Sequence, residues 1–301
     1  MMRKPLTSFV LSAAIAFGAQ AMPASAGSEL LWSIPVPADP SGEGFWVPDA
    51  TMLDDGRAVV LGREGQKVSL MVEEESGSLT DFFDIPLEGS LTNVIADPAN
   101  GLWLTGYTRS GSDAEGIFRD AAIIRMTKTG VIAWARVFGE ENEYWAIEDA
   151  AVLPSGDLVI SGNFFRSESF VARISVTGEW LWDKRFGLAK GTRVGVNENG
   201  DIFVVGFASN ATDLNRSRYF EHGTVWLFSE DGDLRKETAF RPNINRALES
   251  YFGKLAIEVD ERETYVATGW NGPDLAPITI GRIAPDGEAI GELALRGEVG
   301  S

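Results

Sequence analysis

The 301-residue chain carries 26 basic and 44 acidic residues, a net charge of −18, one histidine and no cysteine. A chain this acidic is repelled by nucleic acid and by anionic lipid surfaces. Thiolate metal ligands and a cysteine nucleophile are excluded, and a lone histidine, His222, excludes multi-histidine zinc, copper or haem sites within one chain.

The N-terminus sets an expectation about compartment. Arg3 and Lys4 are followed by an apolar run from Phe9 to Ala21 and by the small-residue stretch Pro23-Ala24-Ser25-Ala26. This order is that of a secretory signal peptide over residues 1–26, cleaved after Ala26. The apolar run is shorter than the roughly 20 residues that span a bilayer. The expected product is a periplasmic or secreted protein of residues 27–301, one domain, not inserted in a membrane. A chain of that size buries a core without disulfides.

Two patterns then alternate through the mature chain. The first is a turn followed by an apolar strand that reaches a glycine: Asp55-Gly56 to Gly62, Asn100-Gly101 to Gly106, Ser155-Gly156 to Gly162 and Asn199-Gly200 to Gly206. A degenerate copy runs from Glu263 to Gly269. The second is an apolar strand, a glycine turn and a strand that often bears tryptophan, as in Ala122 to Gly130 to Trp134 and Val171 to Gly178 to Trp182. Weaker copies turn at Gly77, Gly232 and Gly287, so that the turns recur roughly every fifty residues.

Each repeat reads as four strands. Glycine after Asn, Ser or Asp supplies the positive φ of a tight hairpin. The flanking runs are rich in Val, Ile, Phe and Trp, and no long segment keeps a helical period. In the clearest unit, residues 146–153 lead into 157–161, then 170–175, with 179–185 outermost. One such sheet cannot bury both faces alone, whereas several arranged about an axis can. The fold class expected is therefore all-β, a β-propeller of four-stranded blades. Five blades is the first reading, from five copies of the first pattern. Six is the alternative, because residues 30–37, with Trp32, look like one more outer strand. On either count Gly62, Gly106, Gly162, Gly206 and Gly269 should be equivalent strand ends.

The glycine-bounded strand followed by hhRh, a turn glycine and a tryptophan strand, clearest at residues 149–186, resembles secreted bacterial β-propeller repeats of the PQQ-like group. The resemblance covers about residues 30–295 and implies a propeller. The chain is shorter than the quinone dehydrogenases of that group and lacks their cysteine pairs, so no quinone is implied and no cofactor is expected. The Asn197–Asp201 stretch has the spacing of a hairpin turn, not of a calcium loop.

In a propeller, alternate connections share one end of the sheets. One end here is made of short acidic turns with ordinary turn chemistry. The other holds the long connections, expected to be loops: 106–121 with Tyr107, Arg109 and Arg119; 139–145 with Glu143 and Trp145; 206–223 with Arg216, Arg218, Tyr219 and His222; 240–254; and 269–273 with Trp270. Long loops in an economical repeat concentrate binding residues. Arginine and aromatic side chains suit a polar or glycan ligand or a protein partner. The strand tryptophans Trp103, Trp134, Trp180, Trp182 and Trp226 read as packing between blades. No catalytic motif and no metal site stand out. The reading is a binding or scaffold module. The alternative is a polysaccharide hydrolase or lyase with carboxylates or His222 at the funnel.

Overall fold

The computed structural model describes residues 45–53, 55–64, 67–73, 79–85, 89–97, 101–113, 116–127, 129–139, 144–164, 168–187, 189–208, 222–240, 254–260, 263–269 and 278–295. They form twenty strands in five four-stranded antiparallel sheets, each paired in simple chain order. Among the described residues no helix is long and apolar enough to cross a membrane.

The first sheet comprises β1 (Phe45–Met52), β2 (Ala58–Glu64), β3 (Lys67–Glu73) and β4 (Leu79–Ile85) and belongs to a compact unit ending at Leu87. A second unit, Glu88–Ser301, holds the other four sheets. The second sheet is β5 (Gly89–Asp97), β6 (Gly101–Asp113), β7 (Gly116–Thr127) and β8 (Ile132–Phe138). The third is β9 (Trp145–Val152), β10 (Leu158–Phe164), β11 (Glu168–Ile174) and β12 (Trp180–Phe186). The fourth is β13 (Ala189–Val196), β14 (Ile202–Ala208), β15 (His222–Phe228) and β16 (Leu234–Phe240). The fifth is β17 (Lys254–Val259), β18 (Thr264–Gly269), β19 (Ile278–Ile283) and β20 (Ala289–Leu295).

Strand periodicity explains how the sheets of the second unit stack. Leu158 and Ile160 of β10 face the second sheet and share a cluster with Trp103 and Ile123. Val159, between them, faces the fourth sheet and joins Val194, Val204 and Trp226. Phe203 and Val205 continue the series toward Val266 and Ile283 of the fifth sheet. A middle strand apolar on both faces thus binds two neighbours, and each fully buried Val, Leu or Ile contributes about 1.5–3 kcal/mol. The first strands β5, β9, β13 and β17 lie side by side in that order.

The tight turns have one construction. Leu53 N–H donates to Arg57 O and Gly56 N–H to Leu53 O, and the pattern recurs at residues 127–131, 153–157, 175–179, 197–201, 229–233 and 284–288. This is a three-residue hairpin loop closed by a glycine with φ near +80°, as at Gly156 (φ 87°).

The repeat's Arg and Trp have assignable partners. Arg125 on β7 pairs with Asp97, Arg173 on β11 with Asp157 at 2.7 Å, and Arg282 on β19 with Glu263. Each of these three arginines thus holds the acid beside the first hairpin of its own sheet. In the fourth sheet Leu227 takes that place, and Arg235 of β16 pairs with Asp201 instead. The outer-strand Trp134 donates to Val176 O (3.0 Å) and Trp182 to Glu230 O (3.1 Å), each in a turn of the following sheet. In the fourth sheet Lys236 takes the tryptophan's place, and Thr238, two residues on, donates instead to Gly287 O (2.6 Å) in the turn of the fifth sheet. The strand tryptophans do serve packing between sheets.

Two expectations change. The stretch 106–121 is no loop. β6 and β7 run on as a long hairpin, with pairs from Tyr107↔Ala121 to Asp113↔Gly116. Cross-strand pairs such as Ser112↔Ile117 continue the ladder, which satisfies backbone groups a loop would leave to water. Gly62, Gly106, Gly162 and Gly206 are equivalent, each on a second strand that continues past it, whereas Gly269 ends β18 and sits one residue further along: Thr264 pairs with Ile283 as Leu158 does with Ile174, which puts Thr268 at the place of Gly162.

Candidate functional site

The reason for these glycines lies on the neighbouring first strand. A Cβ on Gly162 would come within 1.9 Å of Ala146 O, and one on Gly106 within 2.0 Å of Ser90 O. Only glycine permits that approach, and at each of these points the first strand bulges. In the third sheet Gly162 pairs with Ile147 and Ser161 with Asp149, which leaves Glu148 as the extra residue. In the second, Gly106 pairs with Leu91 and Thr105 with Asn93, leaving Thr92. In the fourth, Phe207 pairs with Lys190 and Val205 with Arg193, leaving Gly191 and Thr192.

The bulges therefore set polar dipeptides at one level on three adjacent first strands: Thr92-Asn93, Glu148-Asp149 and Thr192-Arg193. They lie toward the end of the sheets away from the tight turns, where β8 stops and β9 begins and where β10 and β14 end.

The acid pair is held by its neighbours. Glu148 Oε1 accepts from Asn163 Nδ2, and Oε2 from Thr192 Oγ1 at 3.3 Å. Asn163 Oδ1 in turn accepts from Ser169 Oγ at 3.3 Å. Asp149 Oδ2 accepts from Val194 N–H at 2.9 Å. Arg193 Nη1 donates to the carbonyl oxygens of Glu148 (3.3 Å) and Thr192 (3.0 Å). Asn163, Ser169 and Thr192 are buried, while Glu148 and Asp149 keep partial contact with solvent. Both carboxyls nonetheless lie deep among protein atoms. Desolvation pushes Asp149 up from its ordinary 3.8 to about 6, against the opposing pull of Arg193 and of the Val194 and Ala150 N–H groups. Desolvation also raises Glu148, opposed by Arg193 and by bonds from Thr192 and Asn163.

Such a group presents carboxylates, a guanidinium and neutral donors on rigid strands. It can orient a polar ligand, and a carboxyl titrating near neutrality can move a proton. No cluster of metal-binding side chains is present among the described residues.

The residues singled out from sequence are distributed differently. Tyr107 is half-buried on β6, opposite Ala121. Arg109 and Arg119 are register partners in the long hairpin. Trp145 is buried, its ring 4.8 Å from Phe164, 5.0 Å from Phe170 and 5.7 Å from Trp180, so its indole belongs to the core. His222 opens β15 opposite Ala208. Glu143, Arg216, Arg218, Tyr219 and Trp270 lie outside the described residues. Sequence reasoning missed Glu148, Asp149, Asn163, Thr192 and Arg193. The available signal was an adjacent Glu-Asp inside the apolar run of residues 145–152, which breaks the alternation of a strand.

No protein-family model matches the chain, and no curated protein does. Solved structures do. A catalytically inactive virginiamycin B lyase from Staphylococcus aureus, crystallised with quinupristin, superposes with a TM-score of 0.54 at 15% identity, over 86% of this chain and 73% of that one. A protein from Lactobacillus plantarum gives 0.57 at 10% identity, over 83% and 71%. The Dos1 propeller gives 0.46 at 8% identity, over 83% and 61%. The likeness to the first two is one of fold. The chain is all-β, with a propeller-type fold built from repeated four-stranded antiparallel sheets.

Proposed function

We propose that this chain is an exported propeller, its five sheets the blades, that binds a polar or glycan ligand or a protein partner at the end of the sheets away from the tight turns. The observation that carries this reading is the side-by-side placement of Glu148-Asp149 and Thr192-Arg193 on adjacent first strands, toward the end away from the tight turns. Polar side chains fixed on strands and partly open to water orient a ligand at low ordering cost. Arg216, Arg218, Tyr219, Glu143 and Trp270 belong to the same proposed surface, as do His222 at the start of β15 and Arg109 and Arg119 of the long hairpin. Kinship with PQQ-like repeats and export with cleavage after Ala26 are part of the proposal. They are supported by the repeat motif and by the order of residues 1–26.

A glycan array probed with the exported form tests it. Hits should be lost in the Arg216→Ala, Arg218→Ala, Tyr219→Ala triple variant or in Arg193→Ala, with the melting temperature of the triple variant nearly unchanged, since exposed loop changes usually shift stability by within about 0.5 kcal/mol. Hits that survive all of these and vanish on substitution in the acidic turns would place binding at the opposite end.

A second reading, a hydrolase or lyase, is favoured by one observation. Asp149 carries a carboxyl raised to about 6, in the range of a general base. Turnover of a bound glycan that Asp149→Asn abolishes while binding persists would establish it.

A further inference from the structure

Ser161 Oγ is wholly buried and makes no hydrogen bond. The residue stands directly opposite Asp149 in the β9–β10 ladder, so the two side chains share one face of the third sheet. It alternates with Val159, which packs against the fourth sheet. Thr224 Oγ1 of β15 is a second buried hydroxyl without a partner. It alternates with Trp226 and Phe228, which pack in the same cluster as Val159. Two unsatisfied hydroxyls thus lie on the faces that the third and fourth sheets turn toward each other, and that of Ser161 stands opposite Asp149. An unsatisfied buried polar group costs about 1–3 kcal/mol.

The charges at this place are also unequal. Two carboxylates, Glu148 and Asp149, share one guanidinium, Arg193. The bonds to Glu148 Oε1, Glu148 Oε2 and Asp149 Oδ2 come from an amide, a hydroxyl and a backbone N–H, all neutral. A primary ammonium has three N–H donors and no acceptor. The Glu148 carboxylate, the Asp149 carboxylate and the Ser161 hydroxyl offer three acceptors. Glu148 and Asp149 each keep part of their surface at solvent although their carboxyls lie deep, and the net charge of −18 draws cations toward the protein.

We propose that Glu148, Asp149 and Ser161 form a binding point for a primary ammonium group, carried by an amino sugar or by a lysine side chain. The proposal rests on the reading that this end of the sheets takes a polar ligand, and names the chemistry of that ligand. A cation there relieves the desolvation of both acids, so binding and ionisation are coupled. Asp149 must shed its proton before it accepts from the ammonium. Glu148 and Arg193 are the other charged groups at this contact, and Arg193 keeps its charge throughout.

The test is calorimetric titration of the whole protein with n-butylammonium, with n-butanol as the neutral isostere. Glucosamine and Nα-acetyl-lysine amide are the arms that separate the two sources. Binding of n-butylammonium without n-butanol is expected, and its affinity should rise roughly tenfold between about pH 5 and 7 as Asp149 ionises. Glu148→Gln and Asp149→Asn should each weaken it at least about tenfold, the loss expected when one partner of a charge-assisted bond is removed. Equal binding of n-butanol, no binding of any amine, or amine binding indifferent to both substitutions would overturn the proposal. If a variant fails to fold, the preference of the wild-type protein for amine over alcohol and its pH dependence still decide. A glycan array with neutral hits and no amine binding would sink this inference and leave the broader reading standing.

Discussion

The indole N–H of Trp182 donates to the carbonyl oxygen of Glu230, 3.1 Å away in the β15–β16 turn. The outer strand of the third sheet is thereby fixed to a hairpin of the fourth. Gly232 closes that hairpin against the same ring, and a Cβ there would approach Trp182 to 2.9 Å. Arg173 reaches the same turn from the third strand, donating to Glu230 O at 3.1 Å and pairing with its carboxylate at 2.9 Å. Trp and Arg of the third sheet thus grip one turn of the fourth, while in the second sheet Trp134 reaches the next turn and Arg125 holds Asp97 of its own sheet.

Trp182→Phe keeps most of the ring and removes the N–H. It should lower stability by about 1 kcal/mol, the net value of one hydrogen bond. Trp182→Ala also leaves a void and should cost about 3 kcal/mol. Urea denaturation of both variants checks the order, and an unchanged midpoint for Trp182→Phe would show that the bond contributes nothing.

Much of this architecture is legible in the sequence because hairpins are local. The glycine after Asn, Asp or Ser, and the apolar run behind it, mark each first and second strand without knowledge of the rest of the chain. What Gly106 and Gly162 are for is not local. Their constraint is a carbonyl oxygen on another strand, Ser90 O or Ala146 O, so they read as strand ends although the strands run on. Trp145 is hidden from sequence for a related reason: a tryptophan beside a loop reads as available, whereas Phe164, Phe170 and Trp180 surround it. Glu148 and Asp149 are two acids among 44, and only the bulge register that sets them beside Thr192 and Arg193 distinguishes them.

The glycine argument has its own test. Gly162→Ala forces the β9 bulge to move and should cost about 1–3 kcal/mol, as overpacking does. Gly187→Ala is the control, since a Cβ there meets nothing within 4 Å and should shift stability by no more than about 0.5 kcal/mol. Equal effects at the two sites, read by thermal unfolding, would refute the close-approach account.

The Asp97–Arg125 pair is deeply placed, its side chains 2% and 11% exposed, and the guanidinium lies 4.8 Å from the Trp103 ring centre. Burial pulls the Arg125 guanidinium below its ordinary range, and the Asp97 charge opposes that. Asp97→Ala should therefore cost about 3–5 kcal/mol, because it strands a buried charge. Asp55→Ala removes the partner of Arg57 at the surface, where the side chains are 46% and 42% exposed, and should cost no more than about 1 kcal/mol. Chemical denaturation of the two variants side by side measures the contrast, and similar losses would mean that burial is not what makes the first pair matter.

Asp149 makes stability depend on pH in an unusual direction. Its folded carboxyl is raised from 3.8 to about 6, chiefly by desolvation, so between those values the folded state holds a proton that the unfolded chain has released. Stability from this group is fully present below about pH 4, falls as pH rises toward 6, and is constant above. The swing is on the order of 3 kcal/mol for a shift of that size. Most acids paired in a native state do the reverse. Asp149→Asn keeps an oxygen for Val194 N–H and removes the titration. The difference in unfolding free energy, wild type minus Asp149→Asn, should therefore move in favour of the wild type as pH is lowered from about 7 to 4, while other acids cancel between the two proteins. Glu148, also raised by desolvation, keeps a slope of the same sign in the variant, so the pH dependence shrinks without vanishing. Urea titrations at half-unit steps across that range read the difference directly. A flat difference would show that Asp149 keeps its ordinary pKa in the folded protein, and one that favours the variant toward acid pH would show that its folded pKa is lowered; either refutes the desolvation account.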